Sequence, residues 1–285
     1  MSYPRFLRLV GGTGDAPKSP SNAPNSGSES PPATLSRVGT WEASKPTNTG
    51  GVMDFAGAYN EIANAYDEEY DDAKSLAENN ILKRVLRIGG YTEGRVLDVG
   101  CGTGLLLDLF GICSKRYVGI DPSIGMLEVA REKYPDHVFG HCAAENMHVI
   151  DLEEESFDNA ISLFGPINYS KTPDDVIFET SRLLKPGGQF LHMLYSKKRK
   201  GKTYILDGSD RYPTLYNYSE VADMFDTDEF TDVRIFGLTG VLENFRGASV
   251  SLETVATAFG WVEILTAGII KPDLFQYLMV TGVKV

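Results

Sequence analysis

Between Arg95 and Asp121 the chain sets out an apolar strand, a turn of alternating glycines, a helical run and a second strand that ends in an acid. The strand is Arg95-Val-Leu-Asp-Val99 and the turn is Gly100-Cys-Gly-Thr-Gly104. Leu105, Leu106, Leu109 and Phe110 then recur at helical spacing, and Tyr117-Val-Gly-Ile-Asp121 completes the unit. Glycines at such a turn let a ligand come close to the backbone, because no Cβ stands in the way. An acid at the tip of the next strand offers two acceptors to the hydroxyls of a ribose. Asp121 stands in that place, seventeen positions after Gly104.

The same alternation continues. Met126, Leu127, Val129 and Ala130 mark a helix, and His137–His141, Phe157–Phe164 and Gln189–Tyr195 read as further strands. Val233–Phe236 and Tyr277–Val280 supply two more. The expected fold is α/β and Rossmann-like: a doubly wound, mostly parallel seven-stranded sheet with helices on both faces. Two helices are expected ahead of it, within 54–90. Phe55, Tyr59, Ile62, Ala63 and Tyr66 share one helical face, and Ile81, Leu82, Val85 and Leu86 run to a stop at Gly89-Gly90.

Seven of the fourteen prolines fall in the first fifty residues, among Ser, Asn, Thr and Gly and without apolar periodicity. Such a segment buries too little apolar surface to offset its ordering entropy, so 1–50 reads as a disordered tail and 51–285 as the folded domain. Five basic and three acidic side chains in those fifty residues leave the remainder at −14 within a chain of net charge −12. A body that acidic is a poor partner for nucleic acid, and a small molecule is the expected partner. No apolar run approaches the ~18–20 residues of a membrane span. The odd cysteines Cys101, Cys113 and Cys142, with no CxxC pair, suit reduced thiols in a cytoplasmic protein without a metal cluster.

Glycine spacing separates two cofactor classes. Nicotinamide enzymes use G-x-G-x-x-G beside a pyrophosphate, whereas this run is G-x-G-x-G. Leu97-Asp-Val-Gly-Cys-Gly-Thr-Gly104 resembles the first motif of the class I S-adenosylmethionine-dependent methyltransferases. The resemblance covers about residues 54–240. Ile120-Asp-Pro-Ser-Ile-Gly-Met-Leu127 is similar to the second motif, in which the acid, here Asp121, holds the ribose and the pair that follows it, beginning with Pro122, lies along the adenine. Phe157-Asp-Asn-Ala-Ile-Ser resembles the fourth-strand motif that sets Leu163 and Phe164 beside the cofactor. Leu183-Leu-Lys-Pro-Gly-Gly-Gln189 resembles the turn before the fifth strand. Tyr59-Asn-Glu-Ile-Ala-Asn-Ala-Tyr-Asp67 is similar to a helix of small-molecule members whose first tyrosine reaches the cofactor. The resemblance implies S-adenosylmethionine as cofactor, held by Tyr59, Asp98, Gly100, Gly102, Gly104, Asp121, Pro122, Met126, Leu163 and Phe164. One position departs: Ala143 stands where the family has an adenine-binding aspartate, which leaves Ala144 and Glu145 to meet the adenine.

The implied reaction is an in-line methyl transfer to a small-molecule N or O acceptor, in which the protein aligns reactants and excludes water. Tyr169, just beyond the fourth strand, and His192, within the fifth, are the candidate catalytic residues. The aromatic loop Tyr212–Tyr218 and the segment 241–272, with Phe245, Arg246, Phe259 and Trp261, are candidates to shape or cap the acceptor site. Lys197-Lys-Arg-Lys200 with Lys202 would suit an anionic acceptor if it borders that site. The alternatives are a protein or tRNA methyltransferase and a non-catalytic binder of the cofactor. Leu163-Phe-Gly-Pro166 stands where methylases of planar amides and base amines have an N-P-P-Y-like tetrad.

Overall fold

The computed structural model describes residues 55–71, 73–198, 213–238 and 272–285. The chain divides into two units, Met1–Val52 and Met53–Val285, and every described residue belongs to the second. The expected tail, most of the 241–272 insertion, Tyr212, Arg199, Lys200 and Lys202 lie outside the described residues.

The sheet has seven strands in the order β3-β2-β1-β4-β5-β7-β6. They are β1 (Val96–Val99), β2 (Tyr117–Asp121), β3 (Val138–His141), β4 (Phe157–Ser162), β5 (Leu184–Tyr195), β6 (Phe230–Leu238) and β7 (Tyr277–Lys284). β1 to β5 pair in parallel, and β7 runs antiparallel between β5 and β6. Strand order reverses between β1 and β4, and a ligand crevice opens at the carboxyl ends beside such a reversal. β1 and β2 are buried at every position, as strands covered on both faces must be. Their register sets the two faces. Leu97, Val99, Val118 and Ile120 join a core with Ile177, Phe190, Phe225 and Val280. Asp98, Tyr117, Gly119 and Asp121 share the opposite side of the pleat.

The helices are α1 (Phe55–Ile62), α2 (Tyr66–Glu69), α3 (Ala73–Gly89), α4 (Leu105–Phe110), α5 (Ile124–Lys133), α6 (Pro166–Tyr169), α7 (Pro173–Leu183) and α8 (Tyr218–Met224). The single face expected from Phe55 to Tyr66 is divided by a 3-10 turn at Ala63–Ala65. Past that turn the Asp67 carboxylate accepts from Thr103 Oγ1 at 2.6 Å and from the Lys133 ammonium at 3.0 Å. The expected turn before the fifth strand is instead a bulge within β5. Phe157 pairs with Leu184 and Asn159 with Gln189, so Lys185–Gly188 bows outward, with Gly187 at φ +80.

Asn217 starts α8 with a reciprocal capping box: its side chain accepts from Glu220 N–H, and the Glu220 carboxylate accepts from Asn217 N–H. The helix is seven residues long and buries Val221 against the core, so its start matters. Asn217→Ala is expected to cost about 1 kcal/mol, read as a lowered denaturation midpoint with an unchanged slope. An unchanged midpoint would show that packing alone holds α8.

Candidate functional site

The glycine turn leaves β1 and folds back beneath the end of β2. Gly100 N–H and Cys101 N–H both donate to the Ile120 carbonyl, at 2.8 and 2.9 Å. Gly100, Gly102 and Gly104 all have positive φ, +75, +52 and +98. Beyond that shared conformation they differ. A Cβ on Gly100 would lie 2.4 Å from Pro166 Cγ, and one on Gly102 would meet nothing within 4 Å. Gly104 caps α4, and a Cβ there would strike the Tyr134 ring at 2.9 Å.

Asp121 ties this turn to the next motif. Its Oδ2 accepts from Gly102 N–H at 2.9 Å and its Oδ1 from Ser123 N–H at 2.8 Å. A carboxylate has about four acceptor sites, so both oxygens keep capacity for ligand hydroxyls. Burial pushes Asp121 up to about 6, against the pull of those two N–H groups. On β1, burial pushes Asp98 up to about 7, although the Tyr117 hydroxyl donates to it at 2.8 Å. The Cys101 thiol beneath the turn is also driven up by burial, so it stays protonated and is no nucleophile.

A cavity of about 430 Å³ opens over these groups. The structure brings Tyr59, Asp98, Gly100, Gly102, Asp121, Pro122, Met126, Ala144, Glu145, Leu163, Phe164 and Tyr169 to its walls. Two candidates fall elsewhere. Gly104 is absent from the lining because it faces Tyr134 and shapes the turn. His192 is also absent: on β5 it alternates with Phe190 and Leu194, on the core side of the pleat. Its ring packs against Phe190 and Phe225, its Nε2 lies 3.4 Å from Thr180 Oγ1, and burial lowers it to about 3. It is therefore a neutral core histidine, and the catalytic reading of His192 is withdrawn.

One wall is aromatic. Phe55 and Tyr59 come from α1, Tyr66 from α2, Phe164 from the turn after β4 and Tyr169 from the end of α6. The Tyr59 and Tyr169 hydroxyls are hydrogen-bonded at 3.1 Å. Burial raises Tyr59 well above the ordinary phenol range, so the group stays neutral. Phe164 holds φ +55, a costly conformation for a large side chain, and its ring packs edge-on against Tyr277. Asn60 fastens α1 to the second motif: its Oδ1 accepts from Ser123 Oγ and Gly125 N–H, both at 2.8 Å.

Phe55, Tyr66, Asn146 and Lys171 also line the cavity, and none of them was among the expected site residues. Tyr66 shares the Tyr59 face and was within reach of that pattern, whereas Lys171 carries no local signal. Lys197, from the expected basic edge, pairs with Glu220 at 2.5 Å. Among the described residues no cluster of three or more His, Cys, Asp or Glu could hold a metal ion. No described helix is long and apolar enough to cross a membrane.

Two buried carboxylates with upward-shifted titration, an open glycine turn and an aromatic wall fit an elongated ligand with hydroxyls, a cation and a flat ring. A family described as a methyltransferase domain matches residues 96–188. An uncharacterized protein of Methanocaldococcus jannaschii is 28% identical over 206 residues, covering 63% of this chain and 77% of that protein. The ubiquinone/menaquinone biosynthesis C-methyltransferase of Campylobacter jejuni is 28% identical over 154 residues, 50% of this chain and 64% of that enzyme. An S-adenosylmethionine-dependent methyltransferase from Thermotoga maritima superposes with TM-score 0.54 at 20% identity, over 80% of this chain and 98% of that one. Phosphoethanolamine N-methyltransferase 2 of Haemonchus contortus, bound to phosphomonomethylethanolamine and S-adenosylhomocysteine, gives 0.52 at 20% identity, over 82% and 60%.

Proposed function

We propose that this chain, which belongs to the class I S-adenosylmethionine-dependent methyltransferases, methylates an N or O atom of a small molecule held against the aromatic wall. The observation that carries the reading is the cavity at the β1/β4 reversal, where motif carboxylates face tyrosine and phenylalanine rings. The bound cofactor supplies a methyl group already activated on a sulfonium.

The chain's own residues align and enclose. Asp121 would accept from the ribose hydroxyls, with its backbone bonds to Gly102 and Ser123 fixing the direction of its free lone pairs. Asp98 would face the cofactor's ammonium, and Gly102 would let the amino-acid portion lie against the turn. Pro122 and Met126 would cover one side of the adenine, and Ala144 and Glu145 would meet its edge. Leu163 and Phe164 would border the reacting methyl. Tyr169, paired with Tyr59, would orient the acceptor by hydrogen bonding and exclude water, which is most of what a displacement at an activated methyl needs. Relatives named for quinone and phosphoethanolamine methylation support a small acceptor. Lys171, at the exposed rim of the cavity, would favour an acceptor that carries an anion.

The test is transfer of labelled methyl from S-adenosylmethionine into separated small-molecule, protein and tRNA fractions. Label is expected in the small-molecule fraction, and label confined to protein or tRNA would overturn the reading. Asp121→Ala serves as the control. It is expected to weaken cofactor binding by ~1.5–3 kcal/mol, the range for hydrogen bonds to a charged group. Unchanged affinity in calorimetric titration would remove Asp121 from the site.

A further inference from the structure

Beneath the glycine turn lies a polar contact that none of the motifs contains. Register pairs Val96 with Tyr117 and Asp98 with Gly119, so Tyr117 begins two residues below the level of Asp98 on the same side of the pleat. Two residues along a strand are about 6.6 Å, roughly the reach of a tyrosine from Cα to hydroxyl. That path is open because residue 119 has no side chain. A Cβ there would lie 2.7 Å from the Tyr117 hydroxyl and 2.9 Å from Cys101 Sγ. The phenol passes through the gap and donates its one proton to Asp98 Oδ2 at 2.8 Å, with both residues buried.

We propose that Tyr117 is a positioning residue of the cofactor site, which holds the Asp98 carboxylate turned toward the ammonium of the cofactor's amino-acid end. The proposal rests on the reading that Asp98 meets that ammonium. Asp98 lines the cavity, whereas Tyr117 does not, so the phenol acts only through the carboxylate. A hydrogen bond donated to the ionised form favours that form, and Asp98 needs the help. Burial pushes it up, and the neighbouring Asp121 charge adds to the push. Cys101 and Tyr117, the other titratable groups facing it, are themselves driven up by burial and stay neutral. The Tyr117 ring has its own packing, edge-on against His137 and Phe139, which a phenylalanine would keep.

Tyr117→Phe and Asp98→Asn separate the proposal from the reading beneath it. Calorimetric titration with S-adenosylmethionine, from mildly acid to mildly alkaline pH, gives the pH at which affinity is half lost. In Tyr117→Phe that midpoint is expected to move upward and neutral-pH affinity to fall about tenfold, as for a lost hydrogen bond to a charged group. Affinity for 5′-methylthioadenosine, which lacks the amino-acid end, is expected to match the parent's. Asp98→Asn is expected to lose most of the pH dependence. The parent's midpoint in Tyr117→Phe, beside an Asp98→Asn variant that binds weakly, would overturn the role of Tyr117 alone. Parent affinity in Asp98→Asn would overturn the reading of Asp98, and the proposal with it. Equal losses for both ligands in Tyr117→Phe would reduce the phenol to packing.

Discussion

Gly102→Ala is expected to weaken S-adenosylmethionine binding by on the order of a hundredfold and to lower stability by only ~1–2 kcal/mol. Gly100→Ala, two residues away, is expected to act first on the fold, with a loss of roughly 2–5 kcal/mol. Both substitutions force an alanine into a left-handed conformation, φ +52 at Gly102 and φ +75 at Gly100, so that part of the cost is shared. The difference lies in what the new methyl meets. At Gly102 it projects into open space against the cavity, where the cofactor is proposed to approach the backbone. At Gly100 it runs into the ring of Pro166, at 2.4 Å from Cγ and 3.2 Å from Cβ. That ring cannot rotate aside. Pro166 also begins α6, so relief by movement would carry Tyr169 with it. Denaturant unfolding and calorimetric titration on the two variants read the two effects separately. Parent affinity in Gly102→Ala would show that the cofactor does not lie against this turn. Equal stability losses would show that α6 yields to the methyl at Gly100.

What the sequence discloses here is local. The glycine turn and the acid after β2 are legible because backbone conformation and short spacing dictate them, whatever the rest of the chain does. Strands β1 to β4 were legible for a similar reason, as apolar runs bounded by turns. The placement of β7 between β5 and β6 was not, because antiparallel insertion is decided by pairing across some eighty residues of chain. The bulge in β5 was hidden by a Pro-Gly-Gly run that reads equally well as a turn. His192 marks a different limit. Its alternation with Phe190 and Leu194 assigns it to the core, and that alternation was open to reading. The fastening of α1 and α2 onto the cofactor motifs, by Asn60 and Asp67, involves partners 36 to 66 positions away. Polar pairs at that separation leave no periodicity to detect.

Asp98→Asn is expected to make the ligand-free protein more stable at mildly alkaline pH, by up to ~4 kcal/mol, while weakening cofactor binding. Burial pushes the Asp98 carboxyl from an ordinary 3.8 to about 7. Below 3.8 it is protonated in both folded and unfolded chains and contributes no pH dependence. Between 3.8 and about 7 the folded chain keeps a proton that the unfolded chain has lost, so stability falls as pH rises through that window. Above it the folded chain holds a buried charge eased, among the described residues, by the Tyr117 hydroxyl. An asparagine keeps an oxygen for that hydroxyl and carries no charge, so its stability should lack this slope. Parent and variant should therefore converge near pH 4 and diverge towards pH 8, a difference that cancels groups such as Asp158, whose neighbours Arg95 and Lys185 pull it the other way. Cofactor affinity should run opposite to parent stability, since a cation is held by the ionised carboxylate and released as it protonates. The site thus tolerates a destabilising charge in the empty state, where a bound ammonium would neutralise it. Chemical unfolding of both proteins across pH, without cofactor, is the measurement. Parallel stability curves would mean that Asp98 titrates as an ordinary surface carboxylate, and the electrostatic account of this site would fall.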